Sequence, residues 1–324
     1  MLVQGTATRS RISGSRENAR MNLPRVSILL PTFERPALLR LTLESVFAQT
    51  FRAWELIIVD DGSTEETRAW LRSVAARPGV RLIENPHAGQ LAAVRNAGVR
   101  AARGEFVAFL DSDDLWTRDK LARQVAQLES GVAGQWSYTN FICIDEHGRR
   151  QPDDEQRRWF PHTGDILRQA ITGEASIRTP TVMARRDLVE RAGGFDERAP
   201  TDNDLWIRLA ALSPVQVVDA PLAAIREHAL NHSANWAHAY ACRELSLRKL
   251  EHQFQGSMRR LVRSERVRNC VSLAEEHAQR GTATGMLGAW LSGAGAGWRK
   301  AGWWWNGARF IARLPGRRSS AGSR

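Results

Sequence analysis

The sequence predicts an α/β fold, a mostly parallel central sheet flanked by helices, followed by a helical, basic C-terminal tail. Three observations carry this. Short, almost wholly apolar runs end in turn residues, as strands covered on both faces do. Amphipathic helical patterns separate them, and that alternation implies parallel strands joined by helical crossovers. From about Asn235 the pattern becomes helical and basic, with no second α/β rhythm.

In order, Val26-Ser-Ile-Leu-Leu-Pro31 reads as the first strand, closed by its proline. Leu38, Leu39, Leu41, Leu43, Val46 and Phe47 supply the apolar face of a helix. Trp54–Asp60 is a second strand, stopped by Asp61-Gly62-Ser63, and a helix follows from about Thr64 to Ala76. A strand at Val80–Ile83, a helix from Ala88 to Ala102 and a strand at Gly104–Leu110 complete the regular half. The next hundred residues are more mixed. Trp136–Ile144 and Arg178–Met183 are strand candidates, Arg186–Arg191 and Asp202–Leu212 are helical, and Val215–Val218 is a further short strand.

The charge is unevenly distributed. Of the net +11, residues 26–230 contribute −4, with 25 Lys/Arg against 29 Asp/Glu; residues 1–25 contribute +4 and residues 231–324 contribute +11. A nucleic-acid reader carries its positive stripe on the folded module, so no nucleic-acid partner is expected. The basic ends could meet an anionic surface instead. Cys143, Cys242 and Cys270 are widely spaced, which argues against a disulfide framework or a cysteine metal site and suits a reducing cytosol. Residues 1–24 read as a flexible basic leader without the apolar stretch of a secretory signal. The uncharged run between Arg280 and Arg299 is too rich in glycine to predict a membrane span.

In open α/β sheets, ligands bind outside the carboxyl ends of the strands. The residues there are Pro31-Thr32-Phe33, Asp60-Asp61-Gly62-Ser63 and Asp111-Ser112-Asp113-Asp114. Two of these three ends are clusters of acids, whose mutual repulsion calls for a compensating cation. An Asp-x-Asp pair at a strand end can share Mg²⁺ or Mn²⁺ and leave positions open for phosphate oxygens. The competing structural reading is that Asp113 or Asp114 caps the helix through Leu121 and Val125. Asp-Asp-Gly-Ser is equally good turn and cap chemistry, with the alternative that one acid accepts hydrogen bonds from a base edge.

Taken together, Val26–Phe33, Trp54–Ser63, Ala93-Val-Arg-Asn-Ala-Gly98, Gly104–Asp114, Gly193-Gly-Phe-Asp-Glu197 and Asp202–Arg208 resemble a family-2 glycosyltransferase across roughly residues 25–233. The resemblance implies a Rossmann-like nucleotide-sugar-binding domain of the glycosyltransferase A fold, with a nucleotide-binding half at 25–115 and an acceptor-binding half at 116–233, before an extension at 234–324. It implies a nucleotide-diphosphate sugar donor, a UDP-sugar above all, Mn²⁺ or Mg²⁺, and inverting transfer to a cell-envelope glycan or lipid-linked acceptor. Carried over by position, Pro31, Thr32, Phe33, Glu34, Asp61, Arg95, Asp111 and Ser112 would face the donor. Asp113 and Asp111 would hold the metal, with His228 as a further ligand from the Arg226-Glu-His228 segment. Asp202 matches the second residue of the family's Glu-Asp pair and would be the general base, with Asp204 as fallback. The preceding Glu is Thr201 here, and Thr201 or Asp202 could instead cap the helix through Leu209.

Several readings compete with transfer. No Gly-x-Gly-x-x-Gly follows the first strand, which disfavours a dinucleotide oxidoreductase. A nucleotidyltransferase would need a glycine-rich basic loop there, which Pro31-Thr-Phe-Glu-Arg-Pro36 does not supply; a degenerate, non-catalytic binding protein remains the other alternative. The Gln-x-x-Arg-Trp signature of processive synthases is missing, which favours addition of single sugars. The tail holds half of the 12 tryptophans, including Trp303-Trp304-Trp305, interleaved with Lys and Arg. That mixture suits either a peripheral contact with the inner face of the plasma membrane or packing of the tail on the catalytic domain.

Overall fold

The structure is a computed structural model that describes residues 23–151, 159–198, 201–227 and 236–280, together with 282, 285, 287–289 and 291. The described residues group into two compact units, those within 1–166 and 175–228, and those within 167–174 and 229–324.

The first unit is built on an eight-stranded sheet. β1 (Val26–Thr32), β2 (Trp54–Asp60), β3 (Val80–Glu84) and β4 (Phe106–Phe109) run parallel in the spatial order β3-β2-β1-β4. The crossovers are α1 (Pro36–Phe47), α2 (Glu65–Ala75) and α3 (Leu91–Ala101). β5 (Leu115–Trp116), α4 (Lys120–Glu129) and β6 (Trp136–Ile144) follow. Beyond β4 the sheet continues through β7 (Met183–Arg185), β6 and β8 (Val215–Arg226) to β5. β7 is antiparallel to both of its neighbours, whereas β6 and β8 are parallel. α6 (Arg186–Arg191) and α7 (Asp202–Leu212) are the remaining helices described in this unit.

All seven residues of β1 and all four of β4 are buried, so apolar side chains on both sheet faces drive assembly. On α1 the buried positions are Leu39, Thr42, Leu43 and Val46, a single helical stripe that leaves Leu41 on the outer side. One buried cluster joins Ile28, Leu30, Leu39, Val46, Ile58 and Phe106 with Phe141 and Met183 from the second half, so the two halves share a core.

The core also contains a buried lysine. The Lys120 side chain is shut off from solvent, its Nζ 2.5 Å from Gln124 Oε1 and 4.1 Å from the centre of the Trp116 ring. Burial without a carboxylate partner pushes its pKa well below the ordinary lysine value. Gln124 Nε2 in turn donates to Ser137 Oγ and to the Thr181 carbonyl, both at 3.0 Å.

Three local expectations needed correction. Arg178–Met183 is not a strand; Thr179–Thr181 forms a 3₁₀ turn around Pro180, and pairing starts only at Met183. Proline has no N–H for a ladder, so the chain turns before it can pair. The strand expected at Val215–Val218 extends to Arg226, because a register shift opposite Thr139 and Asn140 absorbs the Asp219-Ala-Pro221 interruption. Neither Asp113 nor Asp114 caps a helix, since α4 starts at Lys120, preceded by Asp119.

The second unit contains α5 (Leu167–Thr172), α8 (Trp236–Gln253) and α9 (Gly256–Gln279). Arg266 joins α9 to α8 by pairing with Glu251 at 2.7 Å and with Glu244 at 2.5 Å. Cys242 and Cys270 are buried here, and Cys143 is buried in the first unit. Among the described residues no helix is long and apolar enough to cross a membrane. Trp290, Trp298, Trp303, Trp304 and Trp305 lie outside the described residues.

Candidate functional site

The strand order turns at β1, with β2 and β3 on one side and β4 on the other. Such a switch point opens a crevice at the carboxyl edge. β1, β2 and β4 all point that way, so Thr32, Asp61 and Asp111 emerge on one edge of the sheet. Two strand spacings, roughly 10 Å, separate the ends of β2 and β4.

At the β2 end the two neighbouring acids have different tasks. Asp60 makes the turn, accepting the Ser63 N–H at 3.1 Å, the Ser63 hydroxyl, and Arg68 Nε at 3.2 Å. Asp61 accepts the N–H groups of Ala88 and Gly89 at 3.1 and 3.0 Å, with His87 Nδ1 3.1 Å from its Oδ2. It thereby fastens the loop that follows β3. Gly62, which follows them, has φ +83°, and a Cβ there would lie 2.4 Å from the His87 backbone nitrogen.

Phe33 stacks on His87 with ring centres 4.2 Å apart and planes 18° from parallel. Both rings are about half exposed, forming an aromatic ledge beside Asp61. Pro31 and Thr32 are buried beneath it, and Thr32 Oγ1 is a buried polar atom with no hydrogen-bond partner. Glu34 and Arg35 both adopt left-handed backbone angles, φ 54° and 58°. Such strain in non-glycine residues concentrates at functional sites. Glu34 directs its carboxylate at the start of α2, where the Thr64 N–H and the Thr67 hydroxyl hold its pKa below the usual range.

At the β4 end, Asp111, Ser112 and Asp113 are partly exposed and Asp114 is buried. Burial, then the charges of Asp113 and Asp111, push the Asp114 pKa well above the usual carboxylate range, although the Arg226 N–H donates to it at 2.8 Å. Arg226 Nε also donates to the Asp113 carbonyl at 3.0 Å, so the residue two before His228 braces the acidic turn. Arg35 Nη1 lies 3.2 Å from Asp113 Oδ2. The Thr42 hydroxyl donates to the Ser112 carbonyl at 3.0 Å.

Arg95 joins this turn to α7. Its guanidinium is almost completely buried, donating from Nη2 to Asp111 Oδ1 at 2.6 Å and from Nη1 to Asp202 Oδ1. Burial alone would lower its pKa, but the two carboxylates outweigh that and raise it. Phe195 lies against the guanidinium, 5.3 Å from ring centre to Cζ. The other Asp202 oxygen, Oδ2, accepts the Thr179 hydroxyl. Thr201 precedes α7 without making a side-chain cap, and the Asp202 carboxylate is committed to Arg95 and Thr179. Asp204, the fallback base, is fully buried and paired to Arg208 at 2.6 Å, facing away from solvent. Asn96 exchanges hydrogen bonds with the Phe195 backbone at 2.8 and 2.9 Å, which pins the Gly193-Gly194 turn beside α3.

Asp61, Asp111, Asp113 and Asp202 therefore share one edge of the first unit, and His228 lies outside the described residues. Two Asp113/Asp111 carboxylates fit a hard divalent ion, and Arg35 and Arg95 already neutralise those positions as cationic stand-ins. Among the described residues no three His, Cys, Asp or Glu side chains converge as a complete ligand set, so phosphate oxygens and water would fill the remaining positions. Sequence reasoning missed His87, Thr179 and Asn96. The first could have been found by applying the strand-end rule to β3; the other two act through partners distant in sequence.

Comparison with known proteins bears on the family and the fold. The sequence model "Glycosyl transferase family 2" matches residues 27–193. An uncharacterized glycosyltransferase of Rickettsia felis is 30% identical over 204 residues, which are 62% of this chain and 33% of that protein. The UDP-Glc:alpha-D-GlcNAc-diphosphoundecaprenol beta-1,3-glucosyltransferase WfgD of Escherichia coli is 35% identical over 123 residues, 38% of this chain and 47% of that one. The chain thus spans about a third to a half of the length of these relatives. Among solved structures, S. aureus TarS 1-349 in complex with UDP-GlcNAc superposes with a TM-score of 0.67 at 17% identity, covering 90% of this chain and 89% of that one. The chain belongs to glycosyl transferase family 2, and its first unit has the glycosyltransferase A fold.

Proposed function

We propose that this protein transfers a sugar from a nucleotide-diphosphate sugar, preferentially a UDP-sugar, to a hydroxyl of a cell-envelope glycan or lipid-linked acceptor, with inversion at the anomeric carbon. The observation that carries this reading is the Arg95 fork, which places the Asp202 carboxylate one guanidinium away from Asp111. An acid that can take a proton thereby stands beside acids that can manage a diphosphate. The donors named for the WfgD relative and bound in the TarS structure support the choice of a UDP-sugar.

On this reading the nucleobase rests on the Phe33 ledge beside Thr32 and Asp61, over Pro31 and Glu34. Asp111 and Ser112 line the ribose and diphosphate. Asp113 and Asp111, with His228, would hold Mn²⁺ or Mg²⁺, which when bound supplies positive charge for the leaving diphosphate. Asp202 accepts the proton of the acceptor hydroxyl as that oxygen bonds to C1. The bond from C1 to the diphosphate oxygen breaks on the opposite face, and the nucleoside diphosphate leaves. The basic tail would bring the protein to the inner face of the plasma membrane, where a lipid-linked acceptor resides.

The test is nucleotide release from UDP-Glc, UDP-GlcNAc and GDP-Man by the full chain with Mn²⁺, in the presence of candidate envelope acceptors. D202N should lower the rate about 10²–10⁴-fold, the usual contribution of a general base. Equal release by wild type and D202N would remove Asp202 from that role. Binding of nucleotide sugar without any turnover would favour a non-catalytic binding protein.

A further inference from the structure

We infer that Arg95 is a shared counter-charge that couples occupancy of the donor end of the site to the position of Asp202, so that the two ends are loaded interdependently; this rests on the donor-site reading above. One guanidinium serves two carboxylates from different halves of the chain, and the more distant one, Asp202, lies 107 residues from Arg95 itself. Asp111 comes from the end of β4 and Asp202 from the first turn of α7. Arg95 itself sits on α3, its aliphatic stem buried and its Nε without a hydrogen-bond partner. With Phe195 against its face and a carboxylate on each terminal nitrogen, it has little freedom to serve one acid without affecting the other.

The physical argument is competition for charge. A fork of two charge-assisted hydrogen bonds is strongest when each acceptor is fully anionic and otherwise unengaged. A divalent ion that arrives with the diphosphate draws on that same carboxylate and repels the guanidinium, which shifts its hold toward Asp202. Conversely, removal of the charge on Asp202 leaves Arg95 with Asp111 alone, and an incoming cation must then compete with a tighter pair. By linkage the effect is reciprocal: whatever donor loading does to the Arg95–Asp202 pair, a change at Asp202 does to donor loading. Asp202 keeps a spare lone pair on each oxygen while Arg95 and Thr179 hold it, so a positioned carboxylate can still receive an acceptor hydroxyl. Arg95 is accordingly a positioning residue. It holds the base in place when the donor end is filled and divides its hold between the two acids when that end is empty.

A double-mutant cycle read by binding tests this. The dissociation constant of UDP in the presence of Mn²⁺ is measured by calorimetry for the full chain as wild type, D202N, R95K and the double variant. R95K keeps the positive charge but cannot form the two-pronged fork. D202N should weaken Mn²⁺-dependent UDP binding by about fivefold or more in the wild-type background, the lower end of measured couplings, and by less than about twofold in the R95K background. The same loss in both backgrounds would show a through-space charge effect and overturn the coupling. No Mn²⁺-dependent UDP binding by the wild-type chain would overturn the donor-site reading along with it, and is distinguished from a flat cycle on sound binding.

A second measurement avoids any change at Arg95. The two Nη signals of Arg95 in ¹⁵N-arginine spectra are followed while Mg²⁺ and UDP are added. Coupling shifts both the signal facing Asp111 and the one facing Asp202. A shift confined to the Asp111 side would refute it.

Discussion

Lys120 shows at the scale of one residue how burial sets chemistry. Its ammonium would lose water and gain only an amide oxygen and the face of Trp116, so the neutral amine is favoured in the fold. Because the folded pKa is depressed, the unfolded chain binds more protons between that value and the ordinary 10.5. Stability therefore carries the full penalty below the folded pKa and recovers as pH rises toward 10.5. K120M removes this group, although it leaves Gln124 Oε1 without its donor, which costs about 1–3 kcal/mol. The expected result in urea melts is a difference, wild type minus K120M, that grows in favour of wild type as pH rises. A difference that stays constant with pH would mean that the lysine is not neutral in the fold. Arg95 is the opposite case: it is equally buried, but two carboxylates keep its charge in place.

At the scale of elements, the site depends on turns whose positions were open to inspection in the sequence and whose partners were not. The strands of the first half were legible because parallel strands covered on both faces must be apolar throughout, and β2 runs from Trp54 to Asp60 as expected. The strand-end rule then placed Thr32, Asp61, Asp111 and Asp113 on one edge without any knowledge of contacts. The division of labour between Asp60 and Asp61 was not legible, since only the fold shows that one shapes its own turn and the other fastens residues 87–89. The same holds for Arg95, because a pairing across 107 residues leaves no local pattern. In the second half, Pro180 and Pro221 misled the reading in opposite directions, one ending a strand that never formed and the other interrupting one that did. The turn after β2 gives a direct prediction. G62A puts a Cβ at a positive φ and within 2.4 Å of the His87 backbone, so the loop 85–89 must move. We expect a loss of about 1–3 kcal/mol from the strained backbone, with weaker UDP binding in the same preparation. A variant that melts at the wild-type temperature and binds UDP unchanged would show that the loop is not held as described.

For the whole molecule, the separation of charge is the informative property. The region spanning the sheet is mildly acidic, whereas residues 231–324 carry a net +11 with six tryptophans. If this extension meets anionic lipid, the full chain should co-sediment with vesicles containing phosphatidylglycerol and not with neutral phosphatidylcholine vesicles. The bound fraction should fall steeply as salt is raised from 50 to about 300 mM, because the Debye length shrinks below 10 Å. Failure to co-sediment with either vesicle type would remove the membrane from the proposal and leave packing of the tail as its explanation. The second unit is held in part by ion pairs of Arg266, which ties α8 to α9 independently of any lipid.

The three cysteines have a practical consequence. Each thiol lies inside the folded chain, and burial raises those of Cys242 and Cys270 further from their reactive form. A maleimide dye offered to the native protein therefore has no ready target of its own. One cysteine installed on an outward-facing position, such as L41C on the outer side of α1, would take the dye alone, and no background-free parent would have to be engineered first.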